Sequence, residues 1–445
     1  MTLSRGLSHV VAISLLLLAL LEKYQPLFLV YGMNKVITFA IALLFLAMGI
    51  WNGRVQLSHF DRKVILLFVL CAFVSALSIP FQPANQEDLL IGWFNFVFRT
   101  MVMYLAISIA TKALSDMQLP IVYFIAAGAF FAVGSVLVML LHALLPEFTA
   151  TMMVSMPSYE IAEPATAKSF LYLVGYTNHP QFRAANYFTE PSKFAQFMIL
   201  PLALVTLPKY RKKTSYRIIF IFMLAAFLLS QSAAVLAGCL LAVLVTDYQQ
   251  RNGHFSWVSL GVVVLLALLL AGAYWMTATE GDRVLEALDK TDSAFSRLLE
   301  PISVWNWVRE YPMGIGWGKP TALGIFEQPD LRNFSFDVAR LADFVSYKGP
   351  LSATIWILEM LLKGGWLVAL LYVLISVKIV QLSLSLLKAG NPLYVRLGFS
   401  VLALFLGSLT NGPLEQKVML VSLGLAVAAS RCGRSVAKRT HPDPV

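Results

Sequence analysis

The chain has 445 residues, 58% of them hydrophobic and only 13% charged, with a mean hydropathy of +0.73. No soluble domain of this length has that composition, so this is a polytopic membrane protein. The net charge of +10 sits in short basic clusters beside apolar runs; that is the positive-inside pattern of membrane proteins, not a nucleic-acid-binding face.

In chain order, about twelve apolar spans are predicted by the length a bilayer requires. They fall near residues 7–30, 35–52, 63–80, 89–110, 118–143, 193–208, 217–231, 232–247, 257–276, 352–380, 392–410 and 416–431. The first run, Val10 to Leu21, has the length of a signal-peptide core. Glu22-Lys23-Tyr24 follows it in place of a small-residue cleavage site, so it reads as a retained helix. Seven and eight meet at Ser230-Gln231-Ser232 with almost no connection, so one of them is a candidate re-entrant segment. Cys71, Cys239 and Cys432 lie in or just after apolar runs and offer neither a disulfide framework nor metal spacing.

Orientation follows from the basic residues. Arg54, Arg62 and Lys63 lie between spans two and three, Lys209 to Arg217 between six and seven, and Arg431 to Arg439 after twelve. Twelve spans put all three clusters on one side, which should be cytoplasmic together with both termini. Two long segments, about 144–192 and 277–350, then face the opposite side of a single integral membrane domain. The second carries Trp305, Trp307, Trp317 and several phenylalanines, too aromatic for a disordered loop. Within it, residues 297–310 read as an amphipathic interfacial helix with Leu298, Ile302, Trp305 and Val308 on one face. The following Tyr311-Pro-Met-Gly-Ile-Gly-Trp-Gly318 is a glycine-rich turn whose backbone can approach a ligand closely.

Candidate chemistry concentrates around these segments. In Arg183-Ala-Ala-Asn-Tyr-Phe-Thr-Glu-Pro-Ser-Lys-Phe194, Pro191 suits the first position of a helix. Glu190 then sits at the positive end of that helix, where it either caps it or forms a polar site with Arg183. Arg99 lies about ten residues into span four, roughly 15 Å deep, where an arginine needs a partner or a wet cavity. Arg183 and Arg297 are either solvated loop residues or, converging with Arg99, an anion clamp. Guanidinium forks suit phosphate and stay charged at any pH. His179 is the histidine of the two external segments, a loop contact or a base. Glu359 and Lys363 stand at i and i+4 and can pair with each other. Lys363-Gly-Gly-Trp366 interrupts span ten in a way that permits tight packing. No P-loop, dinucleotide fingerprint, HExxH or nucleophile elbow is present, and neither external segment has ligand spacing for a metal.

These residues resemble a family. Arg183 followed by Phe188-Thr-Glu-Pro-Ser-Lys-Phe194 resembles the R…F-x-E-P-S-x-F signature of Wzy-type bacterial polysaccharide polymerases. Arg297…Trp305…Tyr311-Pro-Met-Gly-Ile-Gly-Trp-Gly318 is similar to their second external-loop motif, an arginine and a tryptophan ahead of a P-x-G-x-G turn. The resemblance covers roughly residues 180–430 and implies an all-α, GT-C-like (type B) membrane bundle, shared with O-antigen ligases and more distantly with SEDS glycosyltransferases. It implies inverting, metal-independent glycosyl transfer without a cofactor, at the periplasmic face of the bacterial inner membrane. Donor and acceptor would be oligosaccharide repeat units on undecaprenyl pyrophosphate, with a chain-length regulator as a protein partner. Arg183, Glu190, Arg297 and His179 would be the catalytic group, and Arg99, Arg309, Trp305, Trp317 and Tyr187 would bind substrate. The arginine-to-glycine spacings of some members are not met from Arg183 or Arg297. Two alternatives stand beside polymerisation. A ligase would pass polymer to lipid A–core, but its signature histidine ahead of the tenth-span glycines is absent from residues 351–365. A non-enzymatic flippase or transporter would show two similar halves with midplane sites.

Overall fold

Backbone polar groups have no water to turn to inside a bilayer, so an apolar chain must satisfy them within helices. Every regular element described in the computed structural model is accordingly helical. The described residues are 5–21, 33–51, 57–81, 86–114, 116–145, 191–230, 232–257, 261, 264, 304–305, 307–317, 355–409 and 416–440. The helices in chain order are α1 (Arg5–Leu21), α2 (Met33–Trp51), α3 (His59–Ser78), α4 (Gln86–Val97), α5 (Met103–Ala113), α6 (Gln118–Leu144), α7 (Pro191–Val205), the single turn α8 (Pro208–Arg211), α9 (Thr214–Leu229), α10 (Ala233–Gln250), α11 (Trp356–Leu387), α12 (Pro392–Ser408) and α13 (Lys417–Thr440).

Local chemistry sets their starts. Ser58 and Asp61 form a capping box at α3: the Asp61 amide donates to Ser58 Oγ at 3.0 Å and the Ser58 amide to the Asp61 carboxylate at 2.8 Å. Asn391 caps α12 by accepting from the Leu393 amide at 2.9 Å, with Pro392 at the first helical position. Pro191 opens α7 as the sequence predicts. Ser230 and Ser232 separate two distinct helices, α9 and α10.

Five described helical stretches are long and apolar enough to cross a membrane: His59–Phe81, Leu89–Ala113, Gln118–Leu141, Ala233–Gln250 and Trp356–Leu387. Six shorter apolar helices, Gly6–Leu21, Val36–Trp51, Ser192–Val205, Thr214–Leu229, Pro392–Ser408 and Lys417–Ser430, coincide with further predicted spans. The span expected at 257–276 lies almost wholly outside the described residues. The protein is therefore a helical membrane protein. α11 runs seven residues beyond the predicted 352–380, because the apolar run continues to Leu387 and the next helix breaker is Gly390.

α12 and the apolar part of α13 form the centre. α12 packs on α7, α10, α11 and α13, while α13 also packs on α1 and α5. From Val418 to Ala429 nearly every side chain is buried. The outer helices expose large apolar groups, among them Phe73, Phe130 and Ile221. Buried serines instead bond their own helix: Ser376 Oγ to the Tyr372 carbonyl and Ser422 Oγ to the Val418 carbonyl, both at 2.8 Å. Small residues set the closest crossings. A Cβ on Gly238 of α10 would stand 2.5 Å from the Gly407 amide of α12, and one on Gly128 of α6 would meet Pro201 of α7 at the same distance.

Candidate functional site

The second external-loop motif docks into a break in α11. At Gly365 the backbone adopts φ 73° and ψ −172°, so α11 is two helical stretches joined there. The glycine turn fills the break. The Ile315 amide donates to the Leu362 carbonyl at 2.8 Å, and the Gly316 amide to the Lys363 carbonyl at 3.1 Å. In return the Trp366 amide donates to the Pro312 carbonyl at 3.3 Å. The carbonyls of Leu362 and Lys363 thus find partners despite the broken ladder.

Glycine is required at both surfaces. Gly314 and Gly316 have φ of 82° and 101°. A Cβ on Gly314 would lie 2.5 Å from the Lys363 carbonyl oxygen, and one on Gly365 would lie 2.3 Å from that of Pro312. These glycines let the turn approach the backbone of α11 closely.

Aromatic and charged side chains gather around the junction. Trp317 stacks on Phe96 of α4, with ring centres 3.7 Å apart and planes at 20°. The Lys363 ammonium lies 6.0 Å from the Trp317 ring centre and pairs with Glu359 at 2.5 Å, one helical turn away as predicted. Phe96 also neighbours Tyr372, which neighbours Trp356. The indole N–H groups of Trp317 and Trp356 are buried and have no hydrogen-bond acceptor among the described residues. Two buried donors without acceptors in one aromatic cluster are uncommon and suit a ligand or water oxygen.

The site residues named from the sequence fall into two groups. Arg183, Glu190, Arg297, His179 and Tyr187 lie outside the described residues. Arg99, Trp305, Arg309 and Trp317 are described. Trp317 is buried against Phe96. Trp305 is 52% exposed and stands edge-on to Trp366. Of the predicted interfacial face, Leu298 and Ile302 lie outside the described residues; Val308 is buried one turn after the buried Val304, and Trp305 is exposed. Arg309 is exposed, one residue past Val308. Two residues on, burial and then the Glu310 carboxylate push the Tyr311 hydroxyl up from its ordinary value. Arg99 lies in a π-helical turn, Phe98–Val102, joining α4 to α5, and its side chain is exposed. Such turns occur often at functional sites. That turn, and the roles of Phe96, Trp356 and Tyr372, carry no signal in the sequence beyond an aromatic-rich run.

Helix directions place the two motifs. The end of α10, the end of α11 and the starts of α8 and α12 line one cavity. α7 leads into α8 through Leu207, so α7 and α11 both finish at that end and begin at the other. The start of α7 at Pro191 and the turn docked in the first third of α11 therefore belong to the same end of the bundle. The start of α3, the end of α5 and the start of α6 join the cavity end: Lys112 pairs with Asp61, and Gln118 accepts from Lys209 and Tyr210 at 3.4 Å. Basic residues 62–63 and 209–217 thus share it. No family model matches the chain, and no curated protein matches it.

Proposed function

We propose that this protein polymerises oligosaccharide repeat units carried on a polyprenyl pyrophosphate, at the bundle end where α7 and α11 begin, which is the periplasmic end in the bacterial inner membrane. The observation that carries the reading is the docking of the Tyr311–Trp317 turn into the Gly365 break. It ties the loop motif of the polymerase-like pattern to the membrane bundle, at the end where α7 begins with Pro191. The fold would be the GT-C-like bundle of about twelve spans.

In this reaction an acceptor sugar hydroxyl attacks the anomeric carbon of the donor. The new glycosidic C–O bond forms as the bond to phosphate breaks, and lipid pyrophosphate leaves with the electron pair. The hydroxyl proton passes to a base, for which Glu190 and His179 are the candidates. Arg183 and Arg297 hold the charge that develops on the pyrophosphate, with Arg99 and Arg309 drawing the anion in. Tyr187, Trp305 and the indoles of the junction contact sugar.

The test is purified protein with a lipid-linked repeat unit and no nucleotide sugar, followed by gel or mass analysis. A ladder spaced by one repeat is expected, and it should persist in excess chelator. A single transfer onto lipid A–core would make the protein a ligase. Movement of the substrate across vesicles with no new covalent product would make it a carrier.

A further inference from the structure

The opposite end of the bundle holds a second feature of a different kind. A cavity of about 910 Å³ lies among the connections, lined by Pro208, the 248–253 turn and the α11–α12 link with the start of α12. Its charged lining residues among the described ones are Lys388 and Arg396, and no described aspartate or glutamate lines it. Arg396 sits in the second turn of α12, partly buried. Its guanidinium has no acceptor or ion pair among the described residues. It also feels the positive charge of Arg211 at the end of α8. A partly buried guanidinium that also feels a second positive charge is costly when neither charge is compensated. The start of α12 adds the positive end of a helix dipole. Its Leu393 amide is already taken by Asn391, so the arginines and not the helix amides are the available donors. The surrounding Lys209, Lys212, Lys213 and Arg217 raise the local concentration of anions.

We infer that this cavity binds a phosphate-bearing anion, with Arg396 as its principal donor and Arg211 and Lys388 as supporting charges. A forked guanidinium pairs two oxygens of a phosphate, and a cavity of this size takes more than the bare ion. The phosphate belongs either to an anionic lipid headgroup or to a soluble phosphate ester. The site is independent of the polymerase reading, being built from other residues at the other end of the bundle.

The experiment uses the full chain in two settings. In detergent, thermal unfolding is followed with sodium pyrophosphate against sodium chloride at equal ionic strength. In nanodiscs, phosphatidylglycerol is compared with phosphatidylcholine. A rise of the midpoint by a few degrees with pyrophosphate identifies a soluble phosphate ester; a rise only with phosphatidylglycerol identifies a lipid headgroup. Arg396→Gln should raise the concentration that half-saturates either rise about ten- to a hundredfold. Without ligand, Arg396→Gln should unfold at or above the wild-type temperature, since it removes an uncompensated charge. Lys388→Gln, an exposed change that leaves the fold intact, should reduce the rise partially. No rise in either setting, or an equal rise in Arg396→Gln, overturns the inference.

Discussion

Asp61 is fully buried at the first turn of α3 and collects donors from three directions. Tyr104 Oη and Ser108 Oγ donate to Oδ1 at 2.8 and 3.0 Å, the Ser58 amide donates to Oδ2, and Lys112 supplies the counter-charge. One carboxylate thereby fixes the start of α3 against the whole inner face of α5. Breaking a buried pair costs about 3–5 kcal/mol, because the remaining charge is left in a dry site. Losing one neutral donor costs about 1 kcal/mol. Asp61→Asn should therefore lower the thermal midpoint far more than Tyr104→Phe, and Asp61→Asn with Lys112→Met should recover much of the loss. Equal effects of the two single changes would show that the charge pair contributes nothing. The sequence hides this residue. Asp61 stands beside Arg62 and Lys63 and reads as part of a solvated charge cluster, because burial depends on a helix some forty residues away.

At the scale of elements, the decisive joint is the turn seated in α11. Each half was legible in the sequence as an unusual backbone: Gly364-Gly365 as an interruption of a span, Pro312 to Gly316 as a glycine turn. Their fit to each other was not, since no periodicity encodes a backbone contact between distant segments. Val304 and Val308 are buried one turn apart, and Trp366 of α11 meets Trp305 from the side. α11 outran its predicted end because only a breaker, not hydropathy, stops a helix. The joint can be tested with Gly365→Ala. The new Cβ would stand 2.3 Å from the Pro312 oxygen at a φ of 73°, a strain of about 1–3 kcal/mol before any repacking. The 304–317 segment should become a site of limited proteolysis while the helices persist. Gly6→Ala, with open space around its Cβ, should leave the digest unchanged. An unaltered digest for Gly365→Ala would mean that the turn is held by other contacts.

For the whole molecule, hydropathy located nearly every described helix, because lipid imposes length and apolarity directly on sequence. It did not show which helices lie at the centre; α12 and α13 are no more apolar than the rest. Sidedness is testable at this scale. If the end carrying Arg62, Lys63 and the 209–217 cluster is cytoplasmic, a cysteine introduced near residue 165 or 325 should react with an impermeant thiol reagent from outside. Protection of both in folded protein would reverse the orientation and move the proposed chemistry to the wrong face. The catalytic proposal itself rests on Arg183 and Arg297, which hold the developing pyrophosphate charge in that reading. Lysine keeps the charge but lacks the planar fork that pairs two oxygens at once. Removing a donor aimed at a developing charge costs about 3–4 kcal/mol of barrier, or roughly 10²–10³ in rate. Arg183→Lys and Arg297→Lys should therefore each reduce the ladder of products to near nothing while the protein remains at normal abundance in the membrane. Arg332→Lys, in the same external segment and outside the motif, should polymerise normally. If both motif variants polymerise like wild type, these arginines are solvated loop residues. The charge on the leaving group must then be held elsewhere.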